Sequence, residues 1–326
     1  MDVTVSPLYA YSADGLHWQL ADHNPLLHRN LEGTNFFRFG GHYFVQGHAI
    51  TKWAPTTAFL LNGDRLGRTL LTYKSPDLVH WSEGPALSFL RHGYHSAPQG
   101  TVEEAHTING AWSRSNLVLS AYGQWHGSTE IDARSMDLGL LVSNDGLYFR
   151  EPIADFSLLP RGEPGSWDGA SLWEVSFLNR GEKTYLYYGG GEGGGSTLMA
   201  THQIGLATLD RDRFGYLSSK LPQSEGALTS SPLEIRGKVR VFVNAEGLGS
   251  KSQLRFALLD ETYRPIVGYS VADSRPLEKD GLRQPVTWLK HEVVEGVEGQ
   301  RLLLQVRFLG TGQQSPRLYV VYLTAS

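Results

Sequence analysis

Hydrophobic and polar positions alternate in short bursts along this chain, with turn residues between the bursts. Phe36–Val45 (FFRFGGHYFV) reads as two strands around Gly40-Gly41. Leu117–Tyr122, Thr184–Tyr188 and Val239–Val243 read as single strands. No stretch carries apolar residues at i, i+3, i+4 and i+7 between helix caps, so no long helix is predicted. The predicted class is all-β.

One local pattern repeats at the strand ends. It reads Ser12-Ala13-Asp14-Gly15-Leu16-His17-Trp18, then Ser75-Pro76-Asp77-Leu78-Val79-His80-Trp81, then Ser143-Asn144-Asp145-Gly146-Leu147-Tyr148-Phe149. A weaker copy is Thr208-Leu209-Asp210-Arg211-Asp212-Arg213-Phe214, and successive starts lie 63, 68 and 65 residues apart. Ser and Asp side chains can bond the turn amides, glycine allows a positive φ, and the closing aromatic is expected to pack as a plug on its own hairpin. A unit of this length suits a four-stranded β-propeller blade with long insertions. The next inner strands are expected at Glu32–Phe37, Gly100–His106 and Ser166–Glu174, each with a carboxylate at or near its start. After Leu221-Pro222 the turn motif stops and plain alternating strands follow. The expected division is a propeller over 1–222 and a C-terminal β-sandwich over 223–326.

Composition narrows the chemistry. There is no cysteine, which removes disulfides, thiolate zinc sites, iron–sulfur clusters and cysteine nucleophiles. A net charge of −4 is too balanced for a nucleic-acid-binding or polybasic membrane protein. No run approaches the ~18 apolar residues that would span a bilayer, and the first fifteen residues show no signal peptide, so the cytoplasm is the default expectation. Aromatic residues at 11% and 37 glycines fit an all-β chain with tight turns.

Three stretches resemble the five-bladed β-propeller glycosidases, the group that holds invertase-like family 32 and arabinanase/xylosidase-like family 43. Tyr73–Trp81 (YKSPDLVHW) looks like the end of one of their blades. Gly165-Ser166-Trp167-Asp168 followed by Tyr185–Gly190 (YLYYGG) looks like another. Ile204–Leu209 with Arg213–Leu217 is similar to the closing strands of bacterial family-32-like members, and Val243–Ala245, Leu258–Asp260 and Gly268–Ser270 to their C-terminal sandwich. A complete ring with a tail would need roughly 420–450 residues at this repeat length. About three and a half blades are legible, and nothing matches the family's first-blade aspartate. The expectation is therefore an N-terminally shortened chain, or a ring closed by another segment or by a second copy in a homo-oligomer.

The resemblance implies glycoside hydrolysis, which needs a carboxylic acid to protonate the leaving oxygen and a carboxylate as base or nucleophile. Glu32, Glu103, Glu104 and Asp168 are the candidate catalytic residues. Strand alternation sends only one of Glu103 and Glu104 inward. The alternative for Glu32 and Asp168 is a structural carboxylate that caps a turn. One carboxyl of the pair is expected to have a raised pKa. Candidate saccharide contacts are His48 and His126, expected in glycine-flanked loops just after strands, with Trp53, Trp125, Trp167 and Trp173 as aromatic platforms. Trp18 and Trp81 are read as plugs and Trp288 as core. The glycine-rich run Gly189–Gly195 lacks the Lys-Ser/Thr of a phosphate loop. His92, His95, Asp132 and Asp137 lack metal-ligand spacing, and no cofactor is expected. The expected partner is a carbohydrate substrate, with neither nucleic acid nor membrane. A non-catalytic carbohydrate-binding protein on a decayed propeller is the second reading.

Overall fold

The structure, a computed structural model, describes residues 6–26, 31–49, 68–91, 102–127, 133–192, 202–220, 225–310 and 315–326. Strands dominate these residues and none lies in an α-helix, so no helix among them is long and apolar enough to cross a membrane. Two compact units are present. One comprises Met1–Leu178 with Tyr185–Ala207, the other Asn179–Thr184 with Thr208–Ser326.

In the first unit β1 (Ala10–Tyr11) and β2 (Gln19–Leu20) form a two-stranded sheet. A four-stranded antiparallel sheet follows in chain order: β3 (Glu32–Phe39), β4 (His42–Ala49), β5 (Thr69–Ser75) and β6 (Ala86–Phe89). The same order returns in β7 (Val102–Arg114), β8 (Leu117–Gly127), β9 (Ser135–Ser143) and β10 (Ser157–Leu159). Next come β11 (Ser171–Arg180), β12 (Lys183–Gly191) and β13 (His202–Asp210), with β11 joined to β9 by a parallel bridge at Ser171 and Met136. Successive four-stranded meanders are the blades of a β-propeller.

Period-two alternation gives each blade two faces, and both are used. Phe37, Phe44, Leu70 and Phe89 of the first blade share a core with Val118, Tyr122 and Leu141 of the second. The second blade turns Met136 and Leu138 the other way, onto Leu172 and Val175 of β11.

The repeated motif occupies equivalent turns, between β1 and β2, β5 and β6, and β9 and β10. Ser12, Ser75 and Ser143 each accept two backbone N–H bonds through the hydroxyl oxygen, the shortest at 2.9, 2.8 and 2.9 Å. Asp14, Asp77 and Asp145 each accept two more through Oδ1. The residue after the aspartate takes a left-handed φ: 76° at Gly15, 72° at Leu78 and 77° at Gly146. The fourth copy departs from this geometry. Asp210 pairs with Lys183 at 2.7 Å and Arg213 at 3.4 Å. The plug expectation also needs correcting at Trp18, which is 63% exposed. Its indole N–H donates to the Gly15 carbonyl at 3.2 Å, but the β1–β2 pair builds no core beneath it. Trp81 is half-buried against the Leu31, Val45 and Tyr73 cluster.

The second unit contains β14 (Gly226–Thr229), β15 (Leu233–Glu234), β16 (Val239–Glu246), β17 (Ser252–Leu259), β18 (Gly281–Val286), β19 (Arg301–Gly310) and β20 (Arg317–Ala325). β14, β15 and β17 pair with β19, and β16 lies between β18 and β20. Both sheets feed one core, with Val241, Val243 and Val286 meeting Leu254, Phe256, Val306 and Phe308. Trp288 is fully buried there and donates its indole N–H to the Phe256 carbonyl at 3.0 Å.

Candidate functional site

β3 and β7 are the first strands of neighbouring blades, and each starts with carboxylates. Glu32 opens β3 opposite His48 of β4. The register slips by one residue between Glu32 and Thr34, and Gly33 absorbs the slip with a φ of 57°. A Cβ at Gly33 would stand 3.0 Å from the Thr107 carbonyl oxygen and 3.1 Å from His48 Cε1, so glycine is what lets the His48 ring lie this close.

Arg68, just before β5, ties the two blades together. Its Nε donates to Glu32 at 3.3 Å and its Nη1 to Glu104 at 3.0 Å. Both carboxylates within reach of one guanidinium puts their nearest oxygens at most roughly 9 Å apart, below the upper end of the spacings used by glycosidase acid pairs. His106 Nε2 lies 3.2 Å from Glu104, and its ring sits 4.6 Å from His48 and 5.1 Å from Trp125. Trp173 of β11 meets His106 edge-on at 6.4 Å. The structure therefore gathers Glu32, Glu104, His48, Trp125 and Trp173 around Arg68 and His106.

The neighbouring histidines and Arg68 settle the charge of the carboxylates in this cluster, and burial that of the two rings. The His48 ring beside it and the Arg68 guanidinium hold Glu32 at about 2. Burial acts to raise Glu104, but His106 and Arg68 outweigh it and keep it at about 2 as well. Burial lowers His48, and it lowers His106 to about 4, so both rings are neutral near pH 7. The raised carboxyl pKa expected of an acid partner is thus not found in this pair. Each carboxylate is held ionised first by a histidine beside it and then by Arg68, a cation that sequence spacing did not reveal.

Glu103, one residue along β7, faces the other way. It meets His126 at 2.9 Å and the buried Arg91 guanidinium. His126 Nε2 reaches Asp137 of β9 at 3.1 Å, and Asp137 accepts the Arg161 backbone N–H and guanidinium, each at 2.7 Å. Burial opposes the His126 charge, but hydrogen bonds to Asp137 and Glu103 win and hold its pKa above the ordinary 6.5. His48 and His126 are not in loops, as expected from their glycine neighbours, but inside β4 and β8. Pairing with β3, β5, β7 and β9 absorbs those segments into sheet.

Asp168 precedes β11 and accepts from Ser166 Oγ at 3.0 Å and Tyr188 Oη at 3.1 Å, while Trp167 stacks on Tyr188 at 5.8 Å. None of these contacts is shared with the Arg68 cluster. Trp53 lies outside the described residues. Arg68, His106, Thr107, Arg91, Asp137 and Arg161 complete the two clusters and were missed as site residues. His106 alone carried a signal, as a polar neighbour of the Glu103-Glu104 pair. Among the described residues no group of three or more His, Asp or Glu is arranged to hold a metal ion. A cavity of about 270 Å³ opens elsewhere in the unit, among Leu87, Phe89, Phe149 and Glu151, and holds none of the candidate residues.

No protein-family model matches the chain, and no curated protein matches it by sequence. Its neighbours among solved structures include GH32, GH43, GH117 and GH93 glycoside hydrolases. A GH32 β-fructofuranosidase from Bombyx mori is 12% identical over 97% of this chain and 71% of its own, with a TM-score of 0.38. A family 43 arabinoxylan arabinofuranohydrolase from Bacillus subtilis is 13% identical over 98% and 74%, with a TM-score of 0.34. The chain spans about half the length of two others: 51% of an N-acetylgalactosamine deacetylase from F. plautii (12% identity, 57% of this chain, TM-score 0.37) and 53% of a family 117 glycoside hydrolase from Zobellia galactanivorans (15%, 57%, 0.38).

Proposed function

We propose that this chain acts on a carbohydrate at the Glu32–Arg68–Glu104 cluster and hydrolyses a glycosidic bond there. One observation carries the reading: carboxylates from the first strands of two neighbouring blades meet at one guanidinium, beside two tryptophans. Glu104, mostly buried and ionised, serves as base or nucleophile. Glu32 is 57% exposed, so a sugar laid over it removes water from the carboxylate and raises its pKa toward that of an acid. Trp125 and Trp173 supply apolar walls for the sugar faces. Residues 1–222 form the propeller and 223–326 a C-terminal sandwich, with the ring closed by another segment or by a second copy of the chain.

A second reading, saccharide binding without hydrolysis, is favoured by the pair's charge: both carboxylates sit at about 2, and neither holds a proton at neutral pH. A panel of aryl glycosides and oligosaccharides, run with the parent chain, Glu32→Gln and Glu104→Gln, separates the two. Hydrolysis by the parent that both variants abolish supports the enzyme. Binding without turnover, lost on Trp125→Ala, supports the second reading. Full activity in both variants places the chemistry elsewhere.

A further inference from the structure

Trp167 and Tyr188 lie side by side on the third blade, with ring centroids 5.8 Å apart and planes 24° from parallel. Glycines make the room for them. A Cβ at Gly190 would stand 2.6 Å from Trp167 Cζ3, and one at Gly205 would run into Tyr188 Cζ and stand 2.7 Å from Trp167 Cη2. Any side chain at these two points of β12 and β13 would lift the rings off the sheet. Both glycines are buried beneath the rings, whereas Trp167, Tyr188 and Asp168 each keep part of their surface in water. Two rings close to one plane, backed by bare strand and partly open to solvent, make a flat apolar floor. Asp168 borders it. Its Oδ2 accepts from Tyr188 Oη at 3.1 Å and its Oδ1 from Ser166 Oγ at 3.0 Å. A carboxylate offers about four acceptor positions, so roughly half of them remain for a ligand.

The floor stands on the same rim as the Arg68 cluster. Glu104 is opposite Trp125, Trp125 is opposite Met136, and Met136 bridges to Ser171. Ser171 is therefore in register with Glu104 across β7, β8, β9 and β11, three strand spacings or about 15 Å away at the furthest. β11 runs parallel to β9, and β9 to β7, so the lead-in to β11 that carries Trp167 and Asp168 opens at the same end as the start of β7.

We propose that Trp167, Tyr188 and Asp168 form a second saccharide subsite, which takes a neutral pyranose unit of an oligosaccharide whose other end lies at the Arg68 cluster. The C–H face of the sugar covers the two aromatic rings, and its hydroxyls donate to the free Asp168 lone pairs. An acidic sugar would meet the Asp168 carboxylate, so the unit is neutral. This rests on the saccharide reading of the cluster and adds chain length to it. A single sugar cannot touch both places, which makes the substrate class an oligosaccharide.

The test uses the full chain and xylo-, cello-, manno- and galacto-oligosaccharides of one to five units, read as affinity by calorimetry, or as kcat/KM where the ligand is cleaved. In a series that binds, the value should rise at least about tenfold between two units and five, and Trp167→Ala should cut that rise to under about twofold. Asp168→Asn should cut it by about half or more. A rise that survives intact in both variants, or a parent that is indifferent to length, overturns the subsite and leaves the Arg68 cluster reading standing. Equal losses for one unit and for five would mark Trp167 as structural and overturn it too. No binding by any of the four series overturns both readings. If Trp167→Ala does not fold, Asp168→Asn carries the comparison.

Discussion

On one face of the β7–β8 hairpin, Glu104 accepts from Arg68 and meets His106, whose imidazole is neutral near pH 7 with a pKa of about 4. On the other face, His126 lies between Glu103 and Asp137, and its pKa is held above the ordinary 6.5. The residue types are the same and the two glutamates are adjacent in the chain. What differs is the company of each ring. His106 is packed among His48, Trp125 and Trp173, and the one carboxylate it faces is already shared with arginine. His126 has a carboxylate at each nitrogen and is less buried. Burial decides the first ring and paired carboxylates the second. One face therefore sets ionised carboxylates beside neutral rings. The other is an ion chain that binds strands together.

The largest expected contrast is catalytic. Glu104→Gln should lower any glycosidase activity by about a thousandfold or more, whereas Glu103→Gln should lower it less than about tenfold. Equal losses would mean that the two faces do not divide the work. Stability gives the next contrast. Arg68→Met strands the buried Glu104 without its cation and should cost about 3 kcal/mol in urea unfolding at pH 7. Arg161→Met should cost nearer 1 kcal/mol, because Asp137 keeps the Arg161 backbone N–H and His126. It should also move the His126 titration. Arg68→Met should instead raise a carboxyl pKa, visible by ¹³C NMR.

The histidines themselves sharpen the comparison further. His126 should titrate above 6.5, and its pairing stabilises fully below 6.5 and is lost as pH rises through the folded value. Asp137 has a folded value below 3.8, so its contribution is present above 3.8 and lost as pH falls through that lower value. Ring NMR should show His106 titrating only near pH 4. A His106 that charged at or above pH 6.5 would erase the contrast. The smallest effect belongs to Thr107→Ala, which removes the 3.3 Å hydroxyl contact to His48 Nδ1 but keeps the backbone N–H that donates to the same nitrogen and so leaves the ring proton on Nε2. It should cost under about 1 kcal/mol and leave the His48 tautomer unchanged.

The sequence by itself determined what depends on near neighbours. The Ser/Asp turns close within seven residues, their side chains bonding amides two or three positions on, so motif and geometry coincide at residues 12–18, 75–81 and 143–149. Alternation likewise revealed the strands, the all-β class and the placing of Glu103 and Glu104 on opposite faces. Only the tertiary structure decided the burial of aromatics and the charge of the site. Trp18 and Trp81 close the same local motif, yet one stands in solvent and the other packs on Leu31, because only the second turn sits over a core. Arg68 stands 36 residues from each of the two glutamates it joins, and Thr107 stands 59 residues from the histidine whose proton it places. Such partners leave no trace in local spacing. They exist because two blades pack side by side, and in a buried site the nearest opposite charge and the loss of water set each protonation state.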